Sequence, residues 1–192
     1  MSHADRLAAS TALCSTRELI VFGSDARYTL VPTLLFDETE STHEEIVRIC
    51  NEPLIYSMLF ASAFEGRRYE RDDALRFLDW GDAGWEEATH FVYVITDATG
   101  AIAGAIDIKS PTFSSAEIGY WLSAEHSGVM TAAVVAITSL AHDAGFVELH
   151  ALVRPENERS ARVLTRAGFE RAGNVDREGR VYDRYARPTR SQ

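Results

Sequence analysis

Asn157 and Ser160 stand three residues apart at the head of the stretch "PENERSARVLTRAGFERAG", Pro155 to Gly173. A helix that starts there leaves its first backbone N–H groups without intrahelical partners, and the Asn157 side-chain oxygen can accept from one of them. Glu158 follows where the helix dipole favours negative charge. Ala161, Leu164 and Gly168 share one face. Gly168 suits the left-handed residue just past the end, and Phe169 can pack back on Leu164. Capping explains much of this pattern. It does not explain why so polar a helix mouth follows a strand-like run.

That run is "VELHALV", Val147 to Val153, in which Val147, Leu149, Ala151 and Val153 alternate with Glu148, His150 and Leu152. Period 2 predicts a strand. Upstream, Met130, Val134, Ile137, Ala141 and Ala144 recur at spacings of three and four and predict a buried helix face ended by Gly145. Before that, "AEIGYWL" (116–122) is an aromatic-rich strand. "FERAGNVD" and "RVYDRYAR" close the chain as two more strands around "REG". This alternation predicts helices layered on a sheet.

The first half is less regular. Residues 1 to about 24 lack a clear period and are expected to be a partly ordered extension. "RYTLVPTLLF" (27–36) reads as a strand bent at Pro32. Thr42 or Ser41 is expected to cap a helix up to about Cys50, and a second helix is expected over Glu70 to Trp80. "HFVYVITD" and "GAIAGAIDIK" predict a hairpin turning at Ala98-Thr99-Gly100. Asp72-Asp73 and Glu86-Glu87 read as solvated charges, the former pair able to attract a cation.

At 192 residues one domain with a sizeable core is the default, and 46 % apolar with 25 % charged residues is ordinary for a soluble globular chain. The net charge of −10 disfavours nucleic acid as an obligate partner. Of the 19 basic residues only Lys109 is a lysine, which reads as compositional bias. Cys14 and Cys50 have no metal-like spacing, so no metal site is expected and a reduced cytoplasmic setting fits. "LAASTALC" is too short and too interrupted for a secretion signal, and no apolar run approaches the ~20 residues of a membrane helix.

Three strings, in this order, resemble the GCN5-related N-acetyltransferase (GNAT) superfamily, and within it the RimJ/RimL-type ribosomal-protein N-terminal acetyltransferases. They are "AEIGYWL" at 116–122, "GVMTAAV" at 128–134 and "RPENERSARVLTRAGFERAG" from Arg154, the last similar to the family's Asn-x-x-Ser…Gly-Phe signature. The resemblance covers roughly residues 27 to 187, so residues 1–26 are set aside as an N-terminal extension and 27–192 as the acetyltransferase domain. It implies an α/β (α+β) three-layer sandwich. About seven strands form a mixed, mostly antiparallel sheet with helices on both faces. The fourth and fifth family strands, here 116–122 and 147–153, are parallel and splay apart.

The same resemblance implies acetyl transfer from acetyl-CoA, as co-substrate, to a primary amine. That amine is either a small molecule or a protein N-terminus, and the chain is a monomer or homodimer with no membrane partner. The pantetheine arm would lie in the splay along Tyr120, Trp121 and Leu122, with Asn157 helping to hold it and Ser160 protonating the departing thiolate. The phosphates would sit near Ser127, Gly128, Val129, Met130 and Thr131 at the helix start. The family's Arg/Gln-x-x-Gly-x-Gly/Ala loop is reduced here to "SAEHSGVMT", about two residues short, with Glu125 adding negative charge. A weakened phosphate site is the expected consequence, and a binding or regulatory module is the alternative reading. An alkyl amine with a pKa near ~10 must lose a proton during transfer. Glu117 is the first choice of base, ahead of His90 and His150, and Tyr120 and Trp121 read as groove packing.

Overall fold

The computed structural model describes residues 3–190. Its elements in chain order are α1 (His3–Leu13), β1 (Arg17–Leu19), β2 (Tyr28–Pro32), α2 (Glu40–Cys50), α3 (Pro53–Ile55), α4 (Arg71–Glu87), β3 (Phe91–Asp97), β4 (Ile102–Ile108), β5 (Ala116–Leu122), α5 (Val129–Asp143), β6 (Glu148–Val153), α6 (Glu158–Arg166), β7 (Glu170–Arg177) and β8 (Arg180–Pro188). A 3₁₀ turn (Thr33–Leu35) follows β2, and α3 runs on into a π-helical turn (Tyr56–Phe60).

The strands form one sheet in the order β1-β2-β3-β4-β5-β6-β8-β7. Only β5 and β6 pair in parallel; every other neighbouring pair is antiparallel. The α5 crossover is what permits the parallel pair, since a tight turn cannot return a chain in the same direction. β3, in the middle, is buried along both faces. Tyr93 and Ile95 point into a core shared with α1, α5 and α6, while Val94 points into a second core built from α2 and α4. The result is three layers, helix–sheet–helix.

Both hairpins turn as their sequences imply. Asp97 Oδ1 accepts from the N–H groups of Thr99 and Ala101, and Gly100 takes a positive φ of 89°. Between β7 and β8, Glu178 and Gly179 both have positive φ, 55° and 76°, the signature of the two-residue turn that matches strand twist.

Four expectations need correction. Residues 3–19 are more than the partly ordered extension expected of residues 1 to about 24. α1 and β1 deliver Ala9, Leu13 and Leu19 to the core, and the Tyr93 hydroxyl donates to the Leu13 carbonyl at 2.8 Å. Among the described side chains of α1 only Ala9 and Leu13 are buried, too few to raise a helical period. β1 is also the strand that brings the count to eight. Thr39, not Thr42 or Ser41, caps α2; Thr42 is its capping-box partner. Asp73 is not solvated: its carboxylate caps α4 at the Glu70 N–H and binds Arg67 through two hydrogen bonds, and also Arg76. The Arg67 bonds foremost hold it well below the usual carboxylate range against the cost of burial.

α4 also runs about two turns past Trp80, to Glu87, through Gly81 and Gly84. These glycines allow close approach rather than ending the helix. A Cβ on Gly84 would meet the His90 ring at 2.4 Å and its carbonyl at 2.5 Å. Alanine is intrinsically the better helix former, by about 1 kcal/mol. The collision should nevertheless outweigh that gain. We expect Gly84→Ala to lower stability by about 1–3 kcal/mol in urea unfolding, the usual cost of overpacking. A variant as stable as the parent would show that α4 and His90, just before β3, approach less tightly.

Candidate functional site

The parallel pairing of β5 with β6 lasts two residues: Ala116 opposite Leu149 and Glu117 opposite His150. Beyond that the strands part, while β4 stays paired with β5 as far as Leu122 and β8 with β6 as far as Val153. Between the diverging strands lies a cleft of about 760 Å³. Successive side chains on a strand point to opposite faces. The cleft therefore has two differently furnished sides.

On the α5/α6 side stands Tyr120, packed against that core. Its hydroxyl is 2.6 Å from Ser160 Oγ. Asn157 Oδ1 accepts from the Ser160 N–H at 3.1 Å, so the cap expected from sequence is present and fixes the residue that carries the hydroxyl. Burial pushes the Tyr120 phenol up, opposed by its bond to Ser160. Tyr120 is thus more than packing. It holds the Ser160 hydroxyl, a contact 40 residues apart in sequence that spacing alone does not reveal.

On the α2/α4 side stand Asp107, Lys109 and Glu117. Glu117 binds Arg177 at 2.7 Å and Lys109 at 3.3 Å. Burial raises its pKa, but the Arg177 hydrogen bond and the two positive charges outweigh this and hold it below its ordinary value. A carboxylate so held is a weak proton acceptor. Asp107 lies opposite Gly119 in the β4–β5 register, half-buried, and accepts from the Gly119 N–H at 3.0 Å. Burial pushes it up to about 6, with Lys109 and that N–H limiting the rise. Sequence reading passed over Asp107. The available signal was a single acid interrupting the apolar run "AIAGAI", two residues before the chain's one lysine.

The other predicted bases lie elsewhere. His90 stacks on Trp80 with centroids 4.1 Å apart and bonds the Trp80 carbonyl. The His150 Nδ1 is 2.9 Å from Ser115 Oγ; burial and then Arg184 lower its pKa. Neither lines the cleft.

At the start of α5, Gly128 is the N-cap residue with φ of 84°. This is the conformation glycine adopts freely, and it supports aligning Gly128 with the helix start and treating the loop before it as shortened. Ser127, Gly128, Met130 and Thr131 line the cleft, whereas Val129 is packed in the core and offers only its backbone. The loop is anchored by Glu52, whose carboxylate accepts from Ser123 Oγ at 2.6 Å and the Ala124 N–H at 2.8 Å. Glu125 pairs with Arg48 at 3.7 Å and does not line the cleft, so the anionic intrusion expected there is absent.

Tyr120, Trp121, Leu122 and Asn157 all line the cleft, Trp121 lying edge-on to Phe77 at 5.8 Å. Six basic side chains line it against two acidic ones: Lys109 and Arg177, with Arg154, Arg159, Arg162 and Arg166 on and beside α6. Arg159 and Arg166 make no ion pair among the described residues. In a chain of net charge −10 this is a local reversal of sign, suited to a polyanionic ligand. Arg154 also donates to the Ser57 carbonyl at 3.1 Å and so ties the π-helical turn to the β6–α6 junction. Among the described residues no group of three or more His, Cys, Asp or Glu could hold a metal, and no helix is long and apolar enough to cross a membrane.

Solved structures share this fold. RimJ from Mycobacterium smegmatis, in complex with CoA-disulfide, superposes with a TM-score of 0.75 at 20% identity over 92% of this chain and 88% of that one. The self-immunity acetyltransferase MccE of microcin C7, in complex with acetyl-CoA and AMP, gives 0.69 at 21% over 86% and 93%. The ribosomal L7/L12 α-N-protein acetyltransferase RimL, in complex with coenzyme A, gives 0.68 at 18% over 90% and 98%. A search of curated proteins gives no match. The sequence profile of the acetyltransferase (GNAT) domain matches residues 33–170, which hold the central strands β3 to β6 together with the cleft-lining α5 and α6, and on that match the chain belongs to the GNAT acetyltransferases, enzymes that use acetyl-CoA as acyl donor.

Proposed function

We propose that the chain acetylates a primary amine by direct attack of that amine on the thioester of acetyl-CoA. The observation that carries this reading is the basic cleft between β5 and β6, which leads to the N-terminus of α5 in an otherwise acidic chain. Backbone N–H groups at that helix end, reinforced by Arg159 and Arg166, suit the phosphates. Charge-assisted bonds from arginine are among the stronger ones, so these side chains offset what the short loop lacks.

In the transfer a C–N bond forms at the thioester carbonyl and the C–S bond breaks, its electron pair leaving on sulfur. Ser160 gives its hydroxyl proton to the departing thiolate and regains one from solvent, while the nitrogen sheds the proton it no longer needs as the amide forms. Tyr120 orients that hydroxyl, and the α6 dipole favours negative charge beside it. Glu117 serves as the anchor of Arg177 and Lys109. The apolar wall on the acceptor side is made by Met58, Phe77 and Trp80. π-helical turns such as the one carrying Met58 recur at functional sites.

The structural neighbours named for their acceptors span a ribosomal protein, spermidine in the Vibrio cholerae enzyme, and, in AAC(6')-Ib, an aminoglycoside. A peptide with a free N-terminus, spermidine and an aminoglycoside therefore make a sensible acceptor panel. Calorimetry with acetyl-CoA, followed by thiol-release assays on this panel, tests the reading. No heat and no thermal stabilisation at millimolar acetyl-CoA would favour the regulatory-module alternative.

Ser160→Ala should lower kcat about 10²-fold, the low end for general acid help because a thiolate already leaves well. The KM for acetyl-CoA and the melting temperature should barely move, the pattern of an interaction made mainly in the transition state. Full kcat would make the hydroxyl structural. Asn157→Ala should behave differently, removing the bond to the Ser160 N–H and costing about 1 kcal/mol of stability. Its KM for acetyl-CoA should rise; an unchanged KM would confine Asn157 to capping.

A further inference from the structure

Asp107 is the one carboxylate in the cleft that is not committed to a cation. It accepts a single hydrogen bond, from the Gly119 N–H, and forms no ion pair among the described residues. Glu117, the other acidic lining residue, holds two cations. The Gly119 position makes room for this arrangement: a Cβ there would lie 2.5 Å from Lys109 Cε and 3.2 Å from Asp107 Oδ1. Asp107 also lies on the sheet face opposite the Tyr120–Ser160 pair, because Asp107 opposes Gly119 and Tyr120 is the next residue along β5.

From this placement, and resting on the acetyltransferase reading above, we infer that Asp107 is the proton acceptor for the incoming amine. As the C–N bond forms, the nitrogen becomes acidic and its proton passes to Asp107. The C–S electron pair leaves toward Ser160 on the other face, which returns a proton to sulfur. Acid and base are thereby kept on opposite sides of the sheet and do not neutralise each other. The charged and titratable groups that line the cleft on this side are Lys109 just past the end of β4, Glu117 on β5, Arg177 on β7 and Tyr182 on β8. The α3–π segment and α4 contribute apolar groups there, Met58 and Phe77 among them, together with the Tyr69 hydroxyl group's residue from the loop between. Burial in these surroundings pushes Asp107 up to about 6, which leaves it ionised at pH 7 yet a better base than an ordinary carboxylate.

The test combines kinetics with a direct titration. With whichever panel amine is turned over, log kcat/KM of the parent should rise with slope 2 below about pH 6 and slope 1 above it. Ionisation of Asp107 supplies the extra unit, and that of the amine supplies the other. Asp107→Asn should retain slope 1 throughout, with kcat/KM at pH 7 lower by about 10²-fold and acetyl-CoA affinity unchanged. Glu117→Gln should keep the break. Carboxyl-carbon NMR of the parent, with Asp107→Asn to assign the signal, should show titration near 6 and needs no acceptor. A break that survives Asp107→Asn, a break lost in Glu117→Gln, or an Asp107 signal titrating near the ordinary value of about 4 would each overturn the inference. Failure of the acetyltransferase reading is a separate result: parent protein that gives no heat with acetyl-CoA.

Discussion

The parting of β5 from β6 after two residue pairs governs the rest of this molecule. A continuous sheet would bury its centre and leave only its edges for binding. Here the strands diverge while each keeps its other neighbour, β4 or β8. The sheet is therefore rigid on both sides of an opening, and the opening is built from main chain rather than from loops. Sites held by strands and helix ends keep their geometry better than sites held by loops. Two helix N-termini, those of α5 and α6, start directly after these two strands, so the opening places two positive dipole ends beside one cleft.

Period 2 along the strands then divides the chemistry. Odd-numbered residues of β5 face α2 and α4, and even-numbered ones face α5 and α6. Glu117 and Trp121 therefore stand on one side, Tyr120 on the other. A one-residue slip of β5 would exchange these sets and bury Glu117 in the core. Register is fixed by the antiparallel ladder with β4, which runs for five pairs from Gly104–Leu122 to Ile108–Ile118. The same ladder sets Asp107 opposite Gly119.

Legibility in the sequence followed the range of each interaction. The Asn157 cap, the Gly100 and Gly179 turns and the α5 face are local, and each could be read from a window of a few residues. The parallel pair was inferred from the helix between its strands. What escaped was non-local. Glu117 looked like a free base because its partner Arg177 is 60 residues away. Ser160 and Tyr120 were assigned separate roles because 40 residues separate them. Asp73 is the exception: its partners Arg67 and Arg76 lie six and three residues away, and what went unread was the capping of α4 that turns the carboxylate in toward them. α1 was missed since its burial depends on Tyr93 and α5, not on its own period.

The shortened loop before α5 shows how such distant contacts change a functional reading. Judged as a string, "EHSG" has lost glycines and gained an acid, which argues against an anion site. In the fold the acid is drawn aside to Arg48, and Glu52 holds the loop through Ser123 and Ala124. The one glycine that remains occupies the residue that needs positive φ. Positive charge comes instead from α6, where Arg159, Arg162 and Arg166 line the cleft. Phosphate binding needs converging donors and positive potential, and neither has to come from one contiguous motif. Reading the loop alone tests for one solution to that requirement; under the acetyltransferase proposal, α6, about thirty residues further along the chain, offers another.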